Sequence, residues 1–283
     1  MPRRAIYCSH CGRLIGSSDA RCPWCGARRP GIFASLADLN RVDPDGQGLV
    51  KAIITVNVIF FVLSLAISHN RMGGMGMSLN PFGFLSPGER SLLLLGATGT
   101  VPMEIGGYWT LVSASYLHGG ILHLLFNMMA LRQIGPWVAM EYGPSRMFII
   151  YTFSGVLGYL VSCLAGIAFT IGASASVCGL IGALYYFGKS SGGRYGMAVS
   201  KEVNGWLISL VLFGLVMPGI NNWGHGGGVL GGVLLGKLLG YQQQRKESSV
   251  HRMLMVLSVL GTLAILGLAA FQALTYSPHG HSF

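Results

Sequence analysis

The sequence predicts an all-α polytopic membrane protein with a small metal-binding ribbon at its N-terminus. Three observations predict it. The 283 residues are 52% hydrophobic and only 10% charged, with a mean hydropathy of +0.56, which is too apolar for an ordinary soluble chain. Apolar stretches close to a membrane span in length recur near 51–68, 111–131, 147–168, 174–188, 204–218, 223–240 and 253–274, against the roughly 20 residues a crossing helix needs. The basic residues alternate between successive connections, as membrane orientation requires.

The third observation fixes the count of spans at seven. With the N-terminal tail on the cytosolic side, 17 of the 19 Lys and Arg fall on that side, and only Arg71 and Arg90 fall outside. A six- or eight-span count would spoil the alternation. The expected topology has the N-terminus cytosolic and the C-terminus outside. The net charge of +10 is thus accounted for by topology and does not call for nucleic acid as a partner. The first 50 residues are polar and show no apolar segment behind a basic start, so no cleavable signal peptide is expected. A multi-pass protein of a prokaryotic plasma membrane fits these features.

Residues 1–30 read as a zinc ribbon. Cys8, Cys11, Cys22 and Cys25 form CxxC–x10–CxxC, and four thiolates from two tight turns satisfy tetrahedral zinc. Gly12 and Gly26 follow the second cysteine of each pair, where a knuckle turn needs a permissive backbone. His10 is not needed with four cysteines present. The ribbon is expected to dock a cytosolic partner or to stabilise the tail. Residues 31–50, with Asp38, Asp43, Pro44, Asp45 and Gly46, read as a cytosolic linker. The connection from about 69 to 108 is long, external and rich in Gly and Met (RMGGMGMSLN).

Polar residues inside an apolar region carry the functional argument. In YWTLVSASYLHGGILHLLFNMMAL, residues 108–131, His118, His123 and Asn127 stand at i, i+5 and i+9. His123 and Asn127 then lie about 40° apart on one helix face. Polar groups at such depth usually face a cavity or a partner. In NNWGHGGGVLGGVLLG, residues 221–236, Gly224, Gly228, Gly232 and Gly236 recur every four residues, a smooth face for close helix approach. His225 sits beside that stripe. In TIGASASVCGLIGA, residues 170–183, Gly172, Ala173 and Ser174 stand where the fourth span should begin. A helix N-terminus offers free N–H groups and partial positive charge, which suit a developing oxyanion. A serine there needs a base, and His225 is the candidate. All nine acidic residues fall outside the predicted spans, so a hydrolase here would use a Ser–His dyad rather than a triad. Plain helix packing explains each motif taken singly. A solute path through His118, His123 and His225 would lack the carboxylate that such paths usually employ.

Taken together, the three motifs resemble the rhomboid family of intramembrane serine proteases, over about residues 51–240. HGGILHLLFNM is similar to the family's second-span motif, GASASVCGLIGA to its GxS motif and GHGGGVLGG to its AHxxGxxxG motif. The resemblance implies a six-helix catalytic core over 51–240, with residues 241–283 adding a connecting loop and a seventh span. It implies Ser174 as nucleophile and His225 as general base, with no cofactor needed for catalysis. His123, Asn127 and the Ser174 N–H would hold the oxyanion, with His118 and Gly172 in the same oxyanion and substrate group. Single-span membrane proteins, cut near the outer face, are the implied substrates, and the lipid bilayer is the implied surround. Glu141, in PWVAMEYG, matches a structural glutamate of the family, and Trp109 matches half of a Trp-Arg pair.

Three positions depart from the pattern. Thr110 stands where the family often has that Arg. Ala175 replaces a common glycine, where its methyl could crowd the site. Cys178 stands where many members have a tyrosine packed on the catalytic histidine. Ser176 is a second serine, about 200° round the helix from Ser174. The alternative reading is a catalytically silent, rhomboid-like binder of membrane proteins.

Overall fold

The computed structural model describes residues 5–8, 11, 13–16, 19, 21–26, 43, 45–71, 76–77, 84–217 and 219–276. Residues 31–42 and 44 of the linker, residues 72–75 and 78–83 of the external connection, and His10 and Gly12 of the ribbon lie outside them. The chain divides into two compact units, Met1–Pro44 and Asp45–Phe283.

The first unit is built on an antiparallel pair, β1 (Ala5–Tyr7) and β2 (Leu14–Gly16), in the register Ala5↔Gly16, Ile6↔Ile15 and Tyr7↔Leu14. Cys8 N–H donates to the Arg13 carbonyl at 2.8 Å, which closes the turn that carries Cys8 and Cys11. Gly26 N–H donates to the Cys22 carbonyl at 2.9 Å. Gly26 holds a φ of +69°, the left-handed conformation expected of the residue after a knuckle.

The second unit contains seven long helices among the described residues. They are α1 (Gln47–Arg71), α2 (Ile121–Tyr142), α3 (Pro144–Leu164), α4 (Ser174–Ser190), α5 (Gly193–Val216), α6 (Asn222–Leu239) and α7 (Ser249–Thr275). Four of them, α1, α3, α5 and α7, have stretches long and apolar enough to cross a membrane. Large apolar side chains stand exposed on them, such as Val62 on α1, Leu215 on α5 and Phe271 on α7. Apolar faces of this extent mark a surface meant for lipid. The other three helices are shorter or more polar. Twelve of the 17 residues of α4 are buried, and α2 carries His123, Asn127, Arg132 and Gln133. These three carry the candidate site.

The second predicted span needs correction. The apolar stretch 111–131 is not one helix. Residues Thr110–Ser113 form a short helix and Ala114–Tyr116 a 3₁₀ turn, and α2 begins only at Ile121. Gly119 and Gly120 interrupt the pattern, with Gly120 fully extended (φ 172°). The apolar Leu111, Ala114, Tyr116 and Leu117 are buried against protein rather than lipid. His118 therefore precedes the helix that carries His123.

Helices α3, α4 and α6 form the centre, and glycine sets their spacing. A Cβ on Gly228 would overlap the Ala175 carbonyl, and one on Gly232 would overlap the Gly179 carbonyl. Gly227 and Gly231 face α3 instead, against Val161 and Leu157. At the opposite end of α6, the buried Arg146 Nη1 donates to the Gly240 carbonyl at 2.6 Å and to the Arg245 carbonyl at 2.8 Å. Glu247 Oε1 accepts from Ser145 N–H at 2.8 Å. Together these contacts tie the start of α3 to the end of α6 and to the loop that leads into α7.

Candidate active site

Three of the candidate side chains sit in the opening turns of site-bearing helices, while His118 and Gly172 lie in the segments that precede them. His123 is in the first turn of α2, Ser174 begins α4, and His225 lies in the first turn of α6. All three are partly exposed. The N-cap of α4 is Ala173, whose side chain makes no capping bond. The first N–H groups of that helix are thus left for another acceptor.

Gly172 joins Ser174 to α2. Its φ of +123° lies in the range that disfavours side chains, and the space is equally restrictive. A Cβ there would stand 2.6 Å from His123 Nε2 and 3.7 Å from Ser174 Oγ. His123 Nε2 and Ser174 Oγ therefore border the same small volume. The segment is pinned on both sides, since Gly172 N–H donates to the Ala114 carbonyl at 2.9 Å and the Tyr159 hydroxyl donates to the Gly172 carbonyl.

The hydrogen bond to the other ring nitrogen sets the His123 tautomer. Gly119 N–H donates to His123 Nδ1 at 3.3 Å. With Nδ1 an acceptor, the proton of the neutral ring is assigned to Nε2, the nitrogen that faces Gly172. His123 can then donate to a developing negative charge beside Ser174. Asn127 Nδ2 donates to the His123 carbonyl at 2.9 Å, one turn back along α2. His118 is fully buried and stacks edge-on against His123, with ring centroids 5.0 Å apart. Both of its ring nitrogens lack a hydrogen-bond partner among the described residues, so it shapes the His123 wall by packing.

His225 enters from α6. Its Nδ1 is buried and makes no hydrogen bond among the described residues. No hydrogen bond between Ser174 Oγ and His225 stands among those residues. Catalytic contacts are often loose before substrate arrives. The N-cap of α6 is Asn221, whose Oδ1 accepts from Gly224 N–H at 2.9 Å. Sequence reading overlooked this residue, although an Asn at the first turn of a His-bearing helix is an ordinary capping signal. Tyr159 carried no such signal, because its role depends on a contact between α3 and the segment before α4.

The departures have local explanations. Ser176 is fully buried and its Oγ donates to Ser115 Oγ at 3.4 Å, so it faces away from the volume beside Gly172. Ala175 packs with Leu111, Ala114 and Tyr159, and its methyl points at Gly158 of α3, which leaves the reacting face clear. Thr110 Oγ1 donates to the Gly107 carbonyl at 2.6 Å and shares a hydrogen bond with Thr98 Oγ1 at 2.9 Å, so the loop is fastened without an arginine. Glu141 Oε1 accepts from the Tyr195 hydroxyl at 2.6 Å and its carbonyl from Gln242 N–H at 2.7 Å, contacts at the far end of α2. Cys178 is buried, and no aromatic ring stacks on His225 among the described residues.

In the first unit, Cys8, Cys11, Cys22 and Cys25 place their sulfurs within 4.8 Å of one another. Cys8 and Cys25 Sγ are 3.7 Å apart, and Cys11 and Cys22 Sγ 3.6 Å apart. Four thiolates around a tetrahedral ion with bonds of about 2.3 Å stand about 3.8 Å from one another, so the cluster has the size of a metal site.

Comparison with known proteins identifies the family. Residues 106–242 match the model of the Rhomboid domain. The chain is 31% identical over 246 residues to "RHOMBOID-like protein 4" of Arabidopsis thaliana, covering 78% of this chain and 62% of that protein. It is 32% identical over 223 residues to "RHOMBOID-like protein 5" of the same plant, covering 67% of each. It is 32% identical over 155 residues to "Rhomboid protease GluP" of Bacillus subtilis (strain 168), covering 55% of this chain and 31% of that protein. The chain thus spans less than two thirds of the first of these relatives and under a third of the Bacillus protease.

Proposed function

Because the chain belongs to the rhomboid family, we propose that it is an intramembrane serine endopeptidase acting through Ser174 and His225. The observation that carries this reading is the volume beside Gly172, bordered by His123 Nε2 and Ser174 Oγ at the uncapped start of α4. Ser174 Oγ attacks the scissile carbonyl while His225 takes its proton. The carbonyl oxygen becomes an oxyanion held by His123 Nε2–H, Asn127 and the Ser174 N–H. As the C–N bond breaks, His225 returns the proton to the leaving amine, and water then hydrolyses the acyl ester by the same exchange in reverse.

The site lies at one end of the helix bundle, at the starts of α2, α4 and α6. With the basic residues on the cytosolic side, this end faces outward. The substrates are single-span membrane proteins whose helix opens near its outer end. Helix-weakening residues favour cleavage, since a scissile peptide must leave its helix first. Covalent labelling of Ser174 by a fluorophosphonate probe tests the reading, and a folded protein that stays unlabelled sinks it. The second reading, a silent binder, draws on the His225 Nδ1 that lacks a partner among the described residues and on Cys178 in place of a stacking tyrosine.

The ribbon holds zinc through Cys8, Cys11, Cys22 and Cys25, in a structural role on the cytosolic side. The full chain is expected to purify with about one zinc per molecule. Cys8→Ser with Cys22→Ser should lose that metal, as read by elemental analysis. Labelling of Ser174 should stay at its wild-type rate in that variant, because the cysteines belong to a separate compact unit. Full zinc content in the double variant would refute the ligand set.

A further inference from the structure

We propose that Asn221 is a positioning residue that sets the nucleophile and the base against each other. The proposal rests on the dyad reading above. Asn221 stands four residues before His225, and Thr170 stands four residues before Ser174. One amide side chain joins these two segments. Asn221 Nδ2 donates to Thr170 Oγ1 at 2.8 Å and to Ser162 Oγ, near the end of α3, at 2.7 Å. Its Oδ1 accepts from Gly224 N–H at 2.9 Å.

The amide orientation is fixed by its neighbours. Ser162 Oγ donates its own proton to the Gly158 carbonyl at 3.0 Å, so toward Asn221 it can only accept. That assigns Nδ2 to the Ser162 side and Oδ1 to the helix cap. Thr170 is in turn held by a two-way backbone pairing with Thr98. Thr98 N–H donates to the Thr170 carbonyl at 3.1 Å, and Thr170 N–H donates to the Thr98 carbonyl at 2.7 Å. Neither Thr170 nor Ser162 is open to solvent, so these bonds form out of competition with water.

Capping alone does not require this arrangement. Ser, Thr and Asp cap a helix about as well as Asn, but none of them supplies a cap acceptor and two N–H donors at once. The donor half of Asn221 is therefore surplus to the helix and serves the segment that leads to Ser174. A small shift between nucleophile and base costs rate steeply, up to about a hundred-fold for 1 Å.

The test separates the two halves. Asn221→Ser keeps a capping hydroxyl but is too short to reach Thr170. Thr170→Val removes the acceptor and leaves the backbone pairing with Thr98 intact. Each variant of the full chain, reconstituted in lipid, is expected to lose roughly ten- to a hundred-fold in kcat with KM unchanged. The rate of fluorophosphonate labelling should fall in parallel. The double variant should lose no more than the worse single one, because both remove the same bond. Folded variants that keep wild-type kcat, or losses that multiply in the double variant, overturn the proposal. A wild-type protein that is folded yet neither labels nor cleaves overturns the dyad reading, and the catalytic role of Asn221 falls with it. In that case the coupling between Asn221 and Thr170 would survive only in the unfolding midpoints.

Discussion

Fluorophosphonate treatment of the purified protein is expected to modify Ser174, and Ser174→Ala or His225→Ala is expected to abolish both labelling and turnover. Losses of about 10⁴-fold or more in kcat are expected for either change, because a nucleophile and its base act as one unit. For the same reason the double variant should be no worse than either single one. Mass mapping of the adduct distinguishes the serines. Ser176 is fully buried against Ser115, so Ser176→Ala should leave the adduct on Ser174. His123→Ala should cost less, about 10²- to 10³-fold, the range for loss of one oxyanion donor. An adduct on Ser176, or full activity in His225→Ala, would refute the assignment of the dyad.

The second large effect concerns packing. Gly232→Val is expected to destabilise the protein by roughly 3 kcal/mol or more and to remove labelling with it. A Cβ on Gly232 meets the Gly179 carbonyl, a backbone atom that cannot rotate away. The two helices can only separate, and that moves the base away from the nucleophile. Gly226 provides the control in the same helix. A Cβ there meets nothing within 4 Å, so Gly226→Ala should be neutral or stabilising by up to about 1 kcal/mol. Thermal unfolding in detergent reads both variants. Equal destabilisation of the two would show that helix propensity, and not helix contact, governs α6.

The two variants also mark how far the sequence was legible. The Gly224, Gly228, Gly232 and Gly236 stripe could be read from its four-residue period, and all four glycines are buried. The second stripe, Gly227 and Gly231, lies on the face toward α3, and a run of adjacent glycines hides which face each one serves. His123, Ser174 and His225 stood out because polar groups are costly in an apolar stretch. Residues 111–117 misled for the converse reason. Apolar side chains buried in a folded loop look the same in sequence as apolar side chains facing lipid, and only Gly119 and Gly120 marked the break. Asn221 and Tyr159 make contacts between separate segments of the chain, where periodicity carries no information.

The glycine content of α6 has a further consequence, for the order in which the molecule is made. Seven of its 18 residues are glycine, each costing about 1 kcal/mol of helix preference relative to alanine. Such a segment has little tendency to stay helical until neighbours enclose it, and α3 and α4 are those neighbours. We predict that α6 opens at a lower free energy than α3 or α4 in native-state hydrogen exchange. An α6 that is the most protected of the three would contradict this. Ser174 is synthesised 51 residues ahead of His225, so the proposed dyad cannot assemble until α6 has packed against α4. On the dyad reading, a newly made chain would pass through the first part of its own insertion unable to cut, and would gain its chemistry only when α6 closes on α3 and α4.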